Sequence, residues 1–324
     1  YKRQGMFWRC GSCGSEPWEA YEAAHDGKKV KFLCPVPGYD RHFGITADLG
    51  IENVPVAMTD NGPDMDEIER LVAADDSIKG IWCVPKYSNP EGIIYSKDTI
   101  VRMASMKPAA PDFTIMWDNA YCIHEFDGDY VEFPDILHQC KKYGNYDMVY
   151  EFASTSKITF PGDGVACMAT SEANLEDFEK WIGIQTISYD KVNQQRHVLY
   201  LQNRAHTLKL MKKHAAFMKP KFEAVLSTLD REIAPLEIAS WSHPKGGYFV
   251  SFDAMPGTAK RTLALCKEAG VAMTAAGATF PYGIDPNDSN IRIAPSFPPV
   301  EDVEKAIAVF CTCVKMSALE KLGV

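Results

Sequence analysis

Short apolar runs alternate with amphipathic stretches through the first half of the chain. The runs are almost continuously apolar, as in strands whose sheet is covered by helices on both faces. They predict strands at 30–34, 80–84, 114–117, 148–152 and 165–169. The stretches 64–74 and 97–106 predict helices, and in the first of them Ile68, Leu71 and Val72 share one face. This alternation predicts an α/β fold, with a mostly parallel sheet wrapped by helices.

The pattern changes in the second half of the chain. A long helical region covers about 174–230 and is rich in lysine, glutamine, histidine and leucine. Beyond it, the apolar positions predict strands at 247–252 and 291–294 and helices at 258–269 and 300–322. These elements predict a smaller C-terminal α+β domain. We therefore expect a large domain within 1–200 and a small domain within 201–324, joined by the long helical region.

Composition and charge narrow the class of protein. The 324 residues are 46% hydrophobic and 24% charged, and the formal net charge is −9. An acidic chain of this kind lacks the basic face that non-specific nucleic-acid binding needs. No apolar run approaches the roughly 20 residues of a membrane-spanning helix. We expect a protein that binds neither nucleic acid nor a membrane.

The cysteines and histidines do not indicate a metal site. The ten cysteines are scattered, mostly in apolar stretches where the thiol is a small buried hydrophobe. Cys10 and Cys13 have the spacing of a redox or zinc motif, but no second pair accompanies them. The eight histidines show no metal-ligand spacing, and His124 and His138 are isolated. We expect reduced thiols, a cytoplasmic location and no bound metal.

Four short segments contain residue types that carry chemistry. Most of them follow a predicted strand, which is where ligands bind in an open α/β sheet. The segments are Tyr87-Ser88-Asn89-Pro90-Glu91-Gly92, Trp117-Asp118-Asn119-Ala120-Tyr121, Ala153-Ser154-Thr155-Ser156-Lys157 and Asn290-Ile291-Arg292-Ile293-Ala294-Pro295.

Each segment also has a purely structural explanation. Asn89 lies in a turn sequence, and a lysine among hydroxyls, such as Lys157, is commonly a surface residue. Asp118 ends an apolar strand and Arg292 lies within one, so a structural ion pair would explain either charge. The functional alternative is that Lys157 is a desolvated amine that forms an imine with a carbonyl. Together the segments fit a cofactor with a pyridine ring, an aldehyde and a phosphate.

The combination of segments resembles a known family. The order Pro37-Gly38-Tyr39, Asn89-Pro90-x-Gly92, Asp118-x-Ala120-Tyr121, Ser154-x-Ser156-Lys157 and Arg292 is similar to the pattern of class I/II aminotransferases. These enzymes have the transferase fold type I and depend on pyridoxal 5′-phosphate (PLP). The sequences of 32–43, 154–159 and 290–296 look most like the MocR-like aspartate aminotransferase group. The resemblance covers nearly the whole chain.

The resemblance implies PLP as the cofactor and assigns residues to it. Tyr39 would stack on the pyridine ring. Asn89 and Tyr121 would hydrogen-bond the 3′ oxygen of the ring. Ser154 and Ser156 would contact the phosphate.

The resemblance also implies the catalytic and substrate-binding residues. Lys157 would be the Schiff-base partner and would shuttle the proton between substrate and cofactor. Asp118 would pair with the protonated ring nitrogen, and Tyr121 would assist at the ring oxygen. Arg292, together with Asn89, would bind the α-carboxylate of the substrate.

The implied function is the transfer of an amino group between an amino acid and a 2-oxo acid such as 2-oxoglutarate. The amino acid would be aspartate or glutamate, and the enzyme would be a homodimer. Two alternatives remain open, because motifs that bind PLP do not decide which reaction it performs. One is the PLP-binding sensor domain of a MocR-type transcription regulator, and the other is a PLP lyase.

Two features depart from the family pattern. Classical members carry a phosphate-contacting arginine about eight residues after the lysine, whereas 158–165 contain none. The usual Gly/Ser-rich phosphate loop, at a helix N-terminus before Tyr39, is not recognisable in 6–16. We expect that an N-terminal part of the complete protein is missing from this chain, which begins at Tyr1.

Overall fold

The computed structural model describes residues 29–127 and 130–324. Its strands are β1 (Lys31–Val36), β2 (Glu52–Thr59), β3 (Gly62–Pro63), β4 (Ile78–Cys83), β5 (Thr114–Asp118), β6 (Val149–Ser154), β7 (Ala166–Ala169), β8 (Ala239–Trp241), β9 (Val250–Ala254) and β10 (Asn290–Ile293). Its α-helices are α1 (Asp40–Asp48), α2 (Met65–Ala74), α3 (Lys97–Ser105), α4 (Ile136–Lys142), α5 (Glu172–Gln185), α6 (Lys191–Leu201), α7 (Arg204–Glu232), α8 (Ala259–Glu268) and α9 (Val300–Leu322). Short 3₁₀ helices cover Tyr146–Met148, Ala234–Leu236 and Pro281–Gly283.

Within the described residues, seven strands form one mixed sheet in the order β3-β2-β1-β4-β5-β6-β7. The five central strands, β2, β1, β4, β5 and β6, are parallel. The edge strands β3 and β7 run antiparallel to their neighbours. Chain order reverses direction between β1 and β4, which creates a crevice at the carboxyl ends of these two strands. The predicted α/β fold with a mostly parallel sheet is confirmed.

Both faces of this sheet are buried. Leu33, Ile81 and Ile115 belong to a core on one face, and their chain neighbours Trp82 and Met116 belong to a core on the other. Successive side chains of a strand point to opposite faces, so covering both faces requires apolar residues at almost every position. This requirement explains the continuous apolar runs of the sequence.

A second, smaller unit follows in the chain. Strands β8, β9 and β10 form an antiparallel sheet in the order β10-β9-β8. Helices α7 and α9 pack on it and contribute Phe222, Ile307 and Phe310 to a core that also contains Phe252 and Ile291. The smaller α+β unit is therefore present, while the boundary between residues 200 and 201 stays a prediction.

The structure also contains elements that the sequence pattern did not predict, namely α1, α4, β2, β3 and β8. No continuous apolar run marks β2, because it contains Pro55 and only Asn53 and Val56 of its eight residues are buried. The predicted helical region at 174–230 consists of the three helices α5, α6 and α7. Asp190 and Asn203 explain the breaks, because their side chains accept hydrogen bonds from the backbone N–H of Asn193 and His206 and so begin new helices.

No helix in the described part of the chain is long and apolar enough to cross a membrane. Across residues 29–127 and 130–324, no group of three or more histidine, cysteine, aspartate or glutamate side chains is arranged to hold a metal ion.

The buried face of β4 provides a test of the large core. Ile81 is 0% exposed, and Ile81→Ala should lower the free energy of unfolding by about 2–5 kcal/mol, since it leaves a cavity. Ile284 is 68% exposed, so Ile284→Ala is the matched control and should change the free energy of unfolding by less than about 0.5 kcal/mol. Urea denaturation measures both, and equal effects would contradict the packing described here.

Candidate active site

The carboxyl ends of the central parallel strands meet at one edge of the large sheet. Tyr39 follows β1, Asn89 follows β4, Asp118 ends β5 and Lys157 follows β6. Because parallel strands all end at the same edge, four segments that are far apart in the chain lie around one crevice. The crevice includes the point between β1 and β4 where chain order reverses.

A buried acid lies at the centre of this edge. Asp118 is 1% exposed, and its Oδ2 lies 3.2 Å from Nε2 of His42. The His42 ring stacks on Trp82, with 4.5 Å between centroids and 11° between planes. Tyr39 meets His42 edge-on at 5.1 Å. The carboxylate is thus oriented by a histidine that aromatic rings hold in place.

Sequence reasoning missed His42. A usable signal was present, because His42 lies three residues after Tyr39 and α1 begins at Asp40. This spacing brings the two side chains to one side of the helix start. A histidine one helical turn after the predicted stacking tyrosine was therefore a candidate partner for an acid at the sheet edge.

Lys157 lies in a turn directly after β6. Its Nζ lies 4.9 Å from the ring centroid of Tyr121, so these two predicted residues are brought together. The main-chain carbonyl of Lys157 accepts a hydrogen bond from the Tyr248 hydroxyl at 3.0 Å. The same carbonyl oxygen lies 3.1 Å from Nε2 of His124.

Tyr121, His124 and Tyr248 form what we call the three-ring cluster. Each pair of rings meets edge-on, with centroids 5.5 to 5.7 Å apart. The cluster holds the backbone of Lys157 while leaving its side chain to extend from that point. Tyr248 lies 91 residues from Lys157, and no spacing in the sequence indicated this contact.

The segment Ser154-Thr155-Ser156 before Lys157 is hydrogen-bonded to the loop that follows Lys157. The backbone N–H of Thr155 donates to the Val165 carbonyl, and the Thr155 hydroxyl accepts a bond from the Val165 N–H at 2.9 Å. Gly164 lies so close to Ser156 that a Cβ would meet the Ser156 hydroxyl at 2.9 Å. Phosphate contacts by Ser154 and Ser156 stay a prediction, and residues 6–16 lie outside the described part of the chain.

Arg292 reaches the same crevice from β10 of the small unit. Its side chain is 11% exposed, and Nη1 donates to Oδ1 of Asn89 at 3.3 Å and to Oδ1 of Asp40 at 3.2 Å. Its guanidinium carbon lies 5.1 Å from the ring centroid of Phe249. The buried Nε has no hydrogen-bond partner among the described residues. A buried donor of this kind is normally satisfied by a ligand or a water molecule.

These features define an aminotransferase of PLP fold type I. The chain belongs to the aspartate amino-transferase family, whose sequence model matches residues 10–324. The predicted family and enzyme class are therefore confirmed.

Individual relatives agree with this assignment. A Mycolicibacterium smegmatis protein named as an aminotransferase is 50% identical over 94% of this chain and 70% of its own length. An aspartate aminotransferase of Corynebacterium glutamicum is 44% identical over 94% of this chain and 69% of its own length. The crystal structure of an aspartate transaminase from Corynebacterium glutamicum has a TM-score of 0.92 at 42% identity, covering 98% of this chain and 74% of that one.

The burial of His124 gives the folded protein a testable pH dependence. Burial, with a smaller contribution from the nearby Lys157 amine, lowers the pKa of His124 from its ordinary 6.5 to about 4. In the unfolded chain His124 therefore takes up a proton near pH 6.5, whereas in the folded protein it takes up this proton only near pH 4. The resulting stabilisation is complete above pH 6.5, and about 3 kcal/mol of it should be lost as pH falls to 4.

The variant His124→Gln isolates this contribution. Glutamine keeps an N–H donor for the Lys157 carbonyl but does not titrate, so the free energy of unfolding should fall less steeply between pH 6.5 and 4. The exposed His138 supplies the control His138→Gln, which should retain the wild-type slope. Chemical denaturation at a series of pH values measures the slopes, and identical profiles for all three proteins would refute the assignment.

Proposed function

We propose that this aminotransferase uses PLP to move an amino group between aspartate or glutamate and a 2-oxo acid such as 2-oxoglutarate. The observation that carries the proposal is the buried carboxylate of Asp118 at the same sheet edge as Lys157. The preference for a dicarboxylic amino acid is supported by the Corynebacterium glutamicum relative, which is named an aspartate aminotransferase.

The residues at the sheet edge fit PLP. Asp118 supplies a buried negative charge for a cationic ring nitrogen. Asn89 and Tyr121 are buried polar side chains suited to the ring oxygen, and Tyr39 offers an aromatic face. Lys157 supplies an amine that would hold the cofactor aldehyde. PLP, when bound, withdraws electrons from the Cα of an amino acid.

The protein's own groups would then direct the reaction. Asp118, oriented by His42, would keep the ring nitrogen protonated, and its burial would strengthen this interaction by excluding water. Lys157 would move the proton at the substrate Cα. Because His124 and Tyr248 hold its main-chain carbonyl, the lysine amine would swing from a fixed point.

Arg292 is the group proposed to bind the substrate α-carboxylate. Its buried guanidinium has an Nε donor without a hydrogen-bond partner among residues 29–127 and 130–324, and the planar fork of arginine matches a carboxylate. Its bond to Asn89 would connect substrate binding to a residue proposed to contact the cofactor. These contacts support one continuous site for substrate and cofactor.

We also propose that the enzyme is a homodimer in the cytoplasm. A run of large apolar side chains between residues 184 and 199 is more than half exposed, which supports an interface there: Ile184, Ile187, Val192, Val198 and Leu199. The cysteines described by the structure are free thiols, which is typical of a reducing compartment.

Replacing the proposed Schiff-base lysine tests the function itself. Lys157→Ala should lower the rate of glutamate formation from aspartate and 2-oxoglutarate by several orders of magnitude, since the amine acts in both binding and proton transfer. The exposed Lys245 supplies the control Lys245→Ala, which should retain wild-type activity.

Three outcomes would contradict this function. Undiminished turnover by Lys157→Ala would exclude Lys157 as the Schiff-base residue. A wild-type protein that binds PLP but turns over no amino donor would favour the sensor alternative. Release of ammonia without amino-group transfer would favour the lyase.

Replacing Arg292 distinguishes its proposed role in substrate binding from a role in cofactor binding. Charge-assisted hydrogen bonds contribute about 1.5–3 kcal/mol each, so Arg292→Leu should lower kcat/KM by roughly a hundredfold to several thousandfold. The dissociation constant of PLP should hardly change. Arg292→Lys keeps the charge but not the planar fork and should recover only part of the loss. A variant Arg292→Leu that loses PLP but keeps its substrate affinity would overturn the assignment.

A further inference from the structure

Asp40 brings a carboxylate of the large unit against the guanidinium of Arg292. It is the first residue of α1 and directly follows Tyr39. Its Oδ1 lies 3.2 Å from Nη1 of Arg292, although the two residues are 252 positions apart in the chain. The same Nη1 donates to Oδ1 of Asn89 at 3.3 Å. Two residues of the large unit therefore engage one end of the guanidinium.

The other edge of the guanidinium has a donor that no described residue of the protein accepts from. Nε of Arg292 is buried and has no hydrogen-bond partner among the described residues. In an arginine, Nε and Nη2 form an edge that binds a carboxylate through two parallel hydrogen bonds. With Nη1 held by Asp40 and Asn89, this is the edge that a substrate carboxylate would meet.

The charge of Asp40 also matters to that substrate. The Arg292 side chain is 11% exposed and that of Asp40 is 36% exposed, so the pair is partly screened by solvent. A largely buried cation is costly without a counter-ion, and Asp40 supplies one when no substrate is bound. The same negative charge repels an incoming carboxylate.

We propose that Asp40 is a positioning residue that sets how tightly Arg292 binds carboxylates. It holds the Nη1 end of Arg292 and directs the Nε–Nη2 edge to the substrate. Its negative charge lowers the affinity of Arg292 for the carboxylates of both substrate and product. Since amino acid and 2-oxo acid both carry the α-carboxylate, both affinities depend on it. The inference rests on the proposed role of Arg292 as the carboxylate-binding group.

Asp40→Asn provides the test, because asparagine keeps the size and an oxygen acceptor for Nη1 but removes the charge. The probe is propionate, whose dissociation constant from the PLP-loaded enzyme is measured by calorimetry. This constant should fall about tenfold in the variant, and KM should fall for both substrates while kcat does not rise. Propionamide, which has no charge, should bind equally to variant and wild type.

Two further variants keep the test specific. Asp48 is the exposed last residue of the same helix, about 12 Å along its axis, so Asp48→Asn removes an equal charge far from Arg292 and should leave propionate binding unchanged. Asp40→Glu retains the charge and should not tighten propionate binding as Asp40→Asn does. Comparing the two Asp40 variants separates the effect of the lost charge from an effect of substitution on folding.

The outcomes distinguish this inference from the function on which it rests. If Arg292→Leu loses propionate affinity while Asp40→Asn binds it no more tightly than wild type, the Asp40 inference is overturned and the role of Arg292 stands. If Arg292→Leu binds propionate as well as wild type does, both are overturned. A tighter complex in Asp40→Asn but not in Asp48→Asn or Asp40→Glu supports the inference.

Discussion

The arrangement of the active site depends on one buried charge, the carboxylate of Asp118 at the end of β5. A buried charge costs on the order of several kcal/mol unless other groups compensate it. His42 contacts one carboxylate oxygen, and the cationic ring of the proposed cofactor would supply further compensation. The parallel sheet places other site residues on either side of Asp118, because β5 lies between β4 and β6. Asn89 follows β4 and Lys157 follows β6.

The small unit completes the site at two points. Tyr248 donates to the carbonyl of Lys157, and Arg292 donates to Asn89 and Asp40. A displacement of the small unit relative to the sheet would therefore move the groups that contact Lys157, the proposed Schiff-base residue, and would move Arg292, the proposed carboxylate-binding residue.

Sequence analysis predicted most of the fold, and located its candidate site residues at one edge of the sheet, for one physical reason. Strands buried on both faces are marked by continuous apolar runs, and the chemistry of an open α/β sheet lies where those runs end. Asp118 and Lys157 were accessible to this argument. The contacts of Asp40 with Arg292 and of Tyr248 with Lys157 could not be predicted in this way, because they join residues 252 and 91 positions apart. No local sequence pattern at either side chain indicates its partner.

The protonation state of the cofactor ring tests the central claim most directly. PLP labelled with ¹⁵N in its pyridine ring would be bound to the wild-type protein and to Asp118→Asn, and the ¹⁵N chemical shift measured at slightly alkaline pH. The buried carboxylate predicts a protonated ring nitrogen in the wild type and a neutral one in the variant. A neutral nitrogen in the wild type, or the same shift in both proteins, would contradict the role of Asp118 and with it the proposed site.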